Sequence, residues 1–270
     1  MLEIDNICKT FHPGTPNEVR ALQGVNLRID EGSFVVVIGM NGSGKSTLLN
    51  AIAGSFPVDA GRLRLNGHDV TRWPEHRRAR FIGRVFQDPF SGTAPSMTIA
   101  ENLSLASRRG KWRGLGPALG STRRAQFHDR VRRMGLGLED RLGNVIGSLS
   151  GGQRQSLTLL MASLLKPDLL LLDEHTAALD PKSADQVIRL TDEIVRRDRL
   201  TTLMVTHSMQ QAAQLGDRLI MMVRGKVWQD IQGAEKQRVT PDELLARFDD
   251  VRRSEQLDES AAAMLQRQYV

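Results

Sequence analysis

The stretch "VIGMNGSGKSTLLNAIAG", residues 37–54, decides the fold of this chain. Its residues 39–46 fit the pattern G-x-x-x-x-G-K-[ST], with three glycines, one lysine and two hydroxyls. Glycines let successive backbone N–H groups converge on an anion without side chains in the way. An apolar run, "FVVVI", leads into the loop and a helical pattern leaves it. We therefore predict a phosphate-binding loop at a strand-to-helix junction, and a chance glycine-rich turn is the weaker interpretation.

The loop has the parts needed to hold the triphosphate of a nucleotide. Lys45 can neutralise β- and γ-phosphate oxygens, and the Ser46 hydroxyl can ligate Mg²⁺. The helix that follows adds the positive end of its dipole. The predicted nucleotide-binding residues are Gly39, Met40, Asn41, Gly42, Ser43, Gly44, Lys45, Ser46 and Thr47.

Length and composition bound the other possibilities. The chain has 270 residues, of which 40% are hydrophobic and 25% charged, as in folded soluble proteins. We expect one large core with a smaller subdomain. No apolar run approaches the length of a membrane span, and the N-terminus lacks the features of a secretion signal. Cys8 is the only cysteine, so an internal disulfide is excluded and a reducing cytosol fits best.

Positive charge is concentrated in one segment. The whole chain carries +6, but residues 105–135 contain nine Arg or Lys against one acid, which makes +8 and leaves −2 elsewhere. The segment is either a solvated helical face or a surface attracted to anionic lipid head groups. We predict no nucleic-acid partner. The nine residues are Arg108, Arg109, Lys111, Arg113, Arg123, Arg124, Arg130, Arg132 and Arg133.

The order of elements predicts an α/β fold: a P-loop core with a mostly parallel sheet and an N-terminal antiparallel β part. Apolar residues alternate with polar ones near residues 2–4 and 25–29, and Asn66-Gly67 marks a hairpin. Three later runs, "LLLLDE", "TTLMVT" and "RLIMMV", suit buried strands separated by helices. Asp180-Pro181 predicts the start of one of those helices.

A helical pattern interrupts the sheet elements. It starts at a capping box formed by Thr98 and Glu101 and runs to about Leu142, broken by a loop at 113–120. We therefore predict a nucleotide-binding core at 1–97 and 143–235, an inserted helical subdomain at 98–142, and an amphipathic helical tail at 236–270.

Two carboxylates follow the buried strand "LLLLDE". Asp173 lies at its carboxyl end, where open α/β sheets bind ligands, and can hold Mg²⁺ directly or through water. Glu174 comes next and can polarise the attacking water. The alternative is an acidic strand end without a role, which the phosphate loop disfavours.

The stretch "SLSGGQRQSL" predicts a second anion site. Ser150 and Gln153 can form a capping box, which leaves Gly151 and Gly152 as an unobstructed helix start. By itself this pattern would be an ordinary helix cap. Here it stands about twenty residues before the acidic strand end, in a chain that has a phosphate loop.

The chain resembles the ATP-binding subunits of ABC transporters. The resemblance rests on three motifs in the same order: the phosphate loop, "LSGGQ" and "LLLLDE". The resemblance extends from about residue 2 to 228. It implies that Leu149, Ser150, Gly151, Gly152 and Gln153 are the signature that contacts the ATP bound to a partner subunit.

The resemblance implies roles for four more residues. Gln87 in "VFQDP" resembles the Q-loop glutamine that reaches Mg²⁺, and Asp180 in "AALD" the D-loop. His207 in "MVTHS" resembles the switch histidine that contacts the γ-phosphate. Phe11 resembles the aromatic that stacks on adenine. The alternatives are a core residue at Phe11 and a structural histidine at His207.

One residue departs from the family pattern. The family usually has proline after the catalytic glutamate, and this chain has His175. We expect a looser backbone just beyond Glu174, with nucleotide binding preserved and the hydrolysis rate affected.

The resemblance implies an ATPase whose two copies close head to tail around two Mg-ATP, with Glu174, His207 and Gln87 as catalytic residues. It implies separate membrane permease subunits, a substrate-binding protein if the system is an importer, and a peripheral place on the cytoplasmic face of the inner membrane. The stretches "SMTIAENLSLA" and "EHTAALD" resemble those of ATPases that serve importers of amino acids or similar small organic solutes. Alternatives are export, lipoprotein release, non-transport roles in DNA repair or translation, a small-molecule phosphotransferase, and a non-catalytic nucleotide binder.

Overall fold

The computed structural model describes residues 1–111, 119–250 and 253. The described strands are β1 (Leu2–Phe11), β2 (Val19–Ile29), β3 (Phe34–Gly39), β4 (Ala60–Leu65), β5 (His68–Asp69), β6 (Ile82–Val85), β7 (Leu169–Asp173), β8 (Thr202–Val205), β9 (Arg218–Val223) and β10 (Lys226–Gln232). The described α-helices are α1 (Lys45–Ala53), α2 (Glu75–Arg78), α3 (Ile99–Ser107), α4 (Ser121–Arg132), α5 (Gly151–Ser163), α6 (Pro181–Asp198), α7 (Met209–Gln214) and α8 (Gly233–Arg238). Residues 241–250 are also helical.

A six-stranded sheet in the order β10-β9-β3-β8-β7-β6 forms the centre of the molecule. Its strands are parallel except β10, which pairs antiparallel with β9. All six residues of β3 are buried, as are the four leucines of β7. Continuous burial explains why these strands read as unbroken apolar runs rather than as alternating patterns. The predicted mostly parallel sheet is confirmed.

A four-stranded antiparallel sheet in the order β2-β1-β4-β5 contains the N-terminal strands. The predicted hairpin connects β4 to β5, and its turn residues Asn66 and Gly67 have φ values of 48° and 78°. Positive φ at both central positions is what a two-residue hairpin of this hand requires. The N-terminal antiparallel part is therefore confirmed.

The two faces of the six-stranded sheet belong to two hydrophobic clusters. Val35 and Val37 of β3 face a cluster with α1 and the antiparallel sheet, whereas Val36 and Ile38 face one that includes α6 residues. This alternation follows from the two-residue period of a strand. The sheet is therefore covered on both faces, which places the loops at its carboxyl edge at the surface.

The helical segment between β6 and α5 is shorter than predicted. Thr98 and Glu101 form the expected capping box at the start of α3. However, α4 ends at Arg132, and residues 139–141 form only a 3-10 turn. Gly135 and Gly137 have φ values of 65° and 64°, which an α-helix cannot include. Residues 112–118, most of the predicted loop at 113–120, lie outside the described part.

Two residues of the basic segment cap a helix. Arg109 donates to the carbonyl of Ala162 at 3.1 Å, and Arg130 donates to the carbonyl of Leu164 at 3.3 Å. Both carbonyls belong to the C-terminal end of α5, where helix carbonyls lack intrahelical partners and carry partial negative charge. Part of the local charge excess therefore stabilises α5. Arg113 lies outside the described residues, and attraction to lipid stays a hypothesis.

The beginning of the predicted tail packs on the core. Val239, Leu244 and Phe248 are buried in the same cluster as Val36 and Ile38. Residues 251–252 and 254–270, the rest of the predicted tail, lie outside the described part. None of the helices in the described ranges is long and apolar enough to cross a membrane.

Candidate active site

The predicted phosphate loop connects the carboxyl end of β3 to α1. Gly44 has a φ of 98°, and a Cβ atom there would lie 2.5 Å from the carbonyl oxygen of Ala21. At Gly39 a Cβ atom would lie 2.5 Å from the carbonyl oxygen of Met222. Close backbone packing thus requires both glycines. The loop places the first N–H groups of α1, which have no intrahelical acceptors, at its mouth.

Lys45 and Ser43 are the buried polar side chains of this loop. The Lys45 ammonium donates to the carbonyls of Gly39 at 2.8 Å and Met40 at 3.0 Å. Burial lowers the pKa of Lys45, although the charges of Glu174 and Asp173 oppose that shift. The Ser43 hydroxyl is buried and has no hydrogen-bond partner in the described structure. A buried hydroxyl without a partner fits a loop that donates to an oxyanion.

Asp173 and Ser46 come together as the magnesium hypothesis requires. Ser46 lies in the first turn of α1, near enough to the end of β7 that its hydroxyl helps to lower the pKa of the Asp173 carboxyl. Burial raises the pKa of Asp173, while the Arg84 guanidinium, with Nη2 3.2 Å from Oδ2, lowers it. A hydroxyl and a carboxylate suit Mg²⁺, which usually keeps several waters and binds few protein oxygens. The residues present therefore fit this ion.

Gln87 reaches the same region from β6. It is exposed two residues after the strand ends, and it lines a cleft of about 480 Å³ together with Asp173. Parallel pairing of β6 with β7 aligns Val85 with Leu172, which explains why the residues after both strands share one cleft. Asp173 thus shares a cleft with Gln87 and interacts with Ser46.

Glu174 and His207 lie side by side beyond neighbouring strands. The amide of Glu174 donates to the carbonyl of Val205 at 3.0 Å. His207 follows β8, and its Nδ1 lies 3.4 Å from Oε2 of Glu174. The His207 side chain is 61% exposed, whereas that of Glu174 is only 18% exposed. In this arrangement the open imidazole can contact a phosphate while the sheltered carboxylate contacts a water molecule.

The "LSGGQ" residues form the start of α5. Ser150 accepts a hydrogen bond from the Gln153 amide, and the Gln153 side chain accepts one from the Ser150 amide, which confirms the predicted capping box. Ser150 and Gly151 are exposed, whereas Leu149 is buried. At Gly152 a Cβ atom would lie 2.7 Å from Cβ of Ser183 on α6. The helix start is therefore open to a neighbouring molecule on one side only.

Arg154 makes contacts that the sequence did not reveal. Its guanidinium is buried and donates to the carbonyls of Ile146, Gly147 and Leu149. It also lies 3.7 Å from the ring centroid of Phe90. These bonds fix the turn that leads into Ser150. The sequence predicts only a surface or packing charge at Arg154, because its partners are backbone carbonyls, which no sequence pattern marks.

Asp180 caps a helix, and Phe11 packs against another aromatic ring. Asp180 accepts from the Ser183 amide at 3.1 Å and caps α6, with Pro181 as first residue, as predicted. Phe11 ends β1, and its ring meets Phe56 edge-on with centroids 5.3 Å apart. Phe11 is half-buried, so its interpretations as a core residue and as an adenine platform both remain predictions.

His175 is anchored rather than loose. The ring is 1% exposed, and its Nε2 lies 3.0 Å from Oγ1 of Thr191 on α6. Because the Thr191 hydroxyl donates to the carbonyl of Val187 at 2.8 Å, Nε2 is the protonated nitrogen. Burial lowers the pKa of His175 to about 4. The expected loosening after Glu174 is therefore replaced by a contact that joins this stretch to α6.

Comparison with known proteins gives consistent matches. Residues 22–177 match the family model described as "ABC transporter". The chain is 47% identical over 251 residues to a tyrosine transport ATP-binding protein of Clostridioides difficile, covering 92% of this chain and 99% of the relative. It is 36% identical over 225 residues to a lipoprotein-releasing system ATP-binding protein of Caulobacter vibrioides, covering 82% of this chain and 92% of the relative.

Solved structures agree with this result. A dimeric ATP-binding cassette in a post-hydrolysis state, bound to ADP and Pi, superposes with a TM-score of 0.73 at 31% identity. The superposition covers 86% of this chain and 98% of the cassette. A cassette in its ADP conformation gives a TM-score of 0.74 at 26% identity, covering 92% of this chain and 97% of that cassette. The chain belongs to the ABC transporter family and is an ATP-binding, ATP-hydrolysing transporter subunit.

Proposed function

We propose that this subunit powers the uptake of an amino acid or a similar small organic solute through separate membrane permease subunits. The observation that carries the proposal is the 47% identity to a tyrosine transport ATP-binding protein over 99% of its length. ATP-binding proteins with other stated roles, such as lipoprotein release and sulfate import, match at 35–36% identity. Lipoprotein release is the second candidate.

In this proposal the phosphate loop holds the nucleotide. The backbone N–H groups of residues 39–47 donate to the phosphates, and Lys45 moves from its loop carbonyls to phosphate oxygens. Ser46, Asp173 and Gln87 would hold Mg²⁺, which when bound neutralises phosphate charge. Phe11 would lie against the adenine ring.

Glu174 and His207 would act on the reacting groups. Glu174 follows Asp173 at the carboxyl end of β7, the edge where the nucleotide would bind. From there its carboxylate would orient and deprotonate the attacking water. His207 stabilises the charge that develops on the γ-phosphate. Their 3.4 Å separation lets one imidazole orient the carboxylate while it contacts the phosphate.

The second half of each site would come from a partner copy. One helix start and one lysine offset only part of the triphosphate charge, so a second helix start lowers the free energy of the closed dimer. Ser150 and Gly151 are exposed at such a helix start. We propose a homodimer in which the signature of each copy, with Asp180 nearby, contacts the ATP of the other. Hydrolysis would then open the dimer.

The permease would dock beside the segment that follows Gln87. Three large apolar side chains, Phe90, Met97 and Val145, are 40–50% exposed there. Met97 and Val145 are neighbours, since Ile146 donates to the Met97 carbonyl. Motion at Gln87 could pass to a partner through this surface. The subunit would then lie on the cytoplasmic face of the inner membrane, with a substrate-binding protein on the other side and no nucleic-acid partner.

Co-purification with the permease tests the proposal. The subunit is isolated from its native membrane, the bound membrane proteins are identified, and the complex is reconstituted in liposomes. We expect tyrosine or another amino acid, delivered with its binding protein, to raise the ATPase rate. Stimulation by lipoprotein substrates and not by amino acids would favour the second candidate and contradict the first.

A further inference from the structure

The side chain of Gln211 joins the two loops that contain Glu174 and His207. Its Oε1 accepts from the Thr206 hydroxyl at 2.8 Å, and its Nε2 donates to the Thr176 hydroxyl at 3.1 Å. Thr206 directly precedes His207, and Thr176 follows Glu174 by two residues. One amide, on α7, thus bridges the loop after β8 and the loop after β7.

The bridge completes a ring of hydrogen bonds. On one side the Ser208 amide donates to Thr206 Oγ1 at 3.1 Å, and the Gln211 amide donates to Ser208 Oγ at 3.3 Å. On the other side the Glu174 amide donates to the Val205 carbonyl at 3.0 Å. The two loops are therefore joined at one end by a backbone hydrogen bond and at the other by the Gln211 side chain.

The surroundings make this bridge consequential. Thr206 and Thr176 are 3% and 9% exposed, so removal of the amide leaves two sheltered hydroxyls short of a partner. Glu174 has a φ of 44°, which is unfavourable for a glutamate and persists only where neighbouring contacts restrain the backbone. The Thr176 contact lies two residues from that strained position.

We propose that Gln211 is a positioning residue that holds Glu174 and His207 at their working separation. It reaches neither carboxylate nor imidazole itself; it acts through Thr176 and Thr206. The inference rests on the proposed catalytic roles of Glu174 and His207. Small displacements of reacting groups reduce rates strongly, so the bridge should affect turnover more than nucleotide binding.

The test replaces Gln211 with methionine, which keeps the length of the side chain and removes both hydrogen bonds. Thr176→Val removes the same link from the other side. Gln210→Ala, an exposed neighbour on α7, is the matched control. For each variant the kcat for ATP hydrolysis is measured, with the dissociation constant of a fluorescent ATP analogue. The double variant Gln211→Met/Thr176→Val is measured alongside.

We expect Gln211→Met to lower kcat roughly tenfold or more while the dissociation constant changes less than about twofold. Thr176→Val should lower kcat similarly, and the double variant should be no worse than the single ones, because both changes break one link. Three results would overturn the inference: a kcat that does not change, a loss of nucleotide binding as large as the loss of kcat, or a double variant in which the two single effects multiply. If the parent itself does not hydrolyse ATP, the proposed function fails first; a parent that hydrolyses ATP isolates the test of Gln211.

Discussion

The Nδ1 of His207 lies 3.4 Å from the Oε2 of Glu174, although the two residues are 33 positions apart in the sequence (207 − 174). Parallel pairing of β7 with β8 aligns Asp173 with Val205 and so places the following residues together. The carboxylate is mostly sheltered, and the imidazole is open. We expect the attacking water and the γ-phosphate to meet at this pair.

Glu174→Gln should keep ATP binding and lose nearly all turnover. The amide is isosteric with the carboxylate but cannot accept a proton from water, and loss of a general base costs roughly 10²–10⁴-fold. Phosphate release and binding of a fluorescent ATP analogue measure the two effects separately. A variant that hydrolyses ATP at the parent rate would remove Glu174 from this role.

Lys45→Ala should weaken nucleotide binding itself. Charged hydrogen bonds from the ammonium to phosphate oxygens contribute enough that their loss raises the ATP dissociation constant roughly tenfold or more. Lys166→Ala, at an exposed lysine whose ammonium lies 3.9 Å from the Asp198 carboxylate, is the control. An ATP titration that is the same for Lys45→Ala and the control would refute the phosphate assignment.

His175 should make the folded state sensitive to mild acid. Burial lowers its pKa from 6.5 to about 4, so the unfolded chain binds a proton at a higher pH than the folded one. The free energy of unfolding should therefore fall as pH drops from about 6.5 towards 4, by about 2 kcal/mol between pH 7 and pH 5.

Urea unfolding of the parent and of His175→Leu at pH 7, 6 and 5 measures this effect. The variant loses the hydrogen bond to Thr191 and is less stable at pH 7, but it lacks the titrating group. Other groups titrate in both proteins, so the difference in slope reports His175. Equal pH dependence in the two proteins would show that this histidine does not remain neutral when buried.

Most of the fold and the phosphate loop could be predicted, because their signals are local. Each signal depends on neighbours within a few residues. These signals are the glycines around Lys45, the capping boxes at Thr98 and Ser150, and the apolar run of β7. The early end of α4 also had a local signal in Gly135 and Gly137. The predicted continuation of the helix to about Leu142 is wrong, because these two glycines interrupt it.

The remaining features depend on partners far apart in the chain. His175 meets Thr191 on another helix, and Arg84 meets Asp173 across a strand pair. Arg109 binds a carbonyl of α5, which is 53 positions away. No spacing in the sequence announces such contacts, because the sheet order that creates them is itself a result of folding.

The central claim is that each ATP lies between the phosphate loop of one copy and the signature of another. Lys45→Ala damages the first element, and Ser150→Arg places a bulky side chain on the second. In a mixed dimer of the two variants, one site contains both defects and the other contains neither. Each variant alone should be nearly inactive, because every site of its homodimer is damaged.

The most direct measurement is therefore the ATPase rate of an equal mixture of Lys45→Ala and Ser150→Arg chains. If half of the dimers are mixed and one site in each is intact, the mixture should recover up to about a quarter of the parent rate. A mixture no more active than the sum of its two components, although mixed dimers form, would contradict the claim that two copies build each site together.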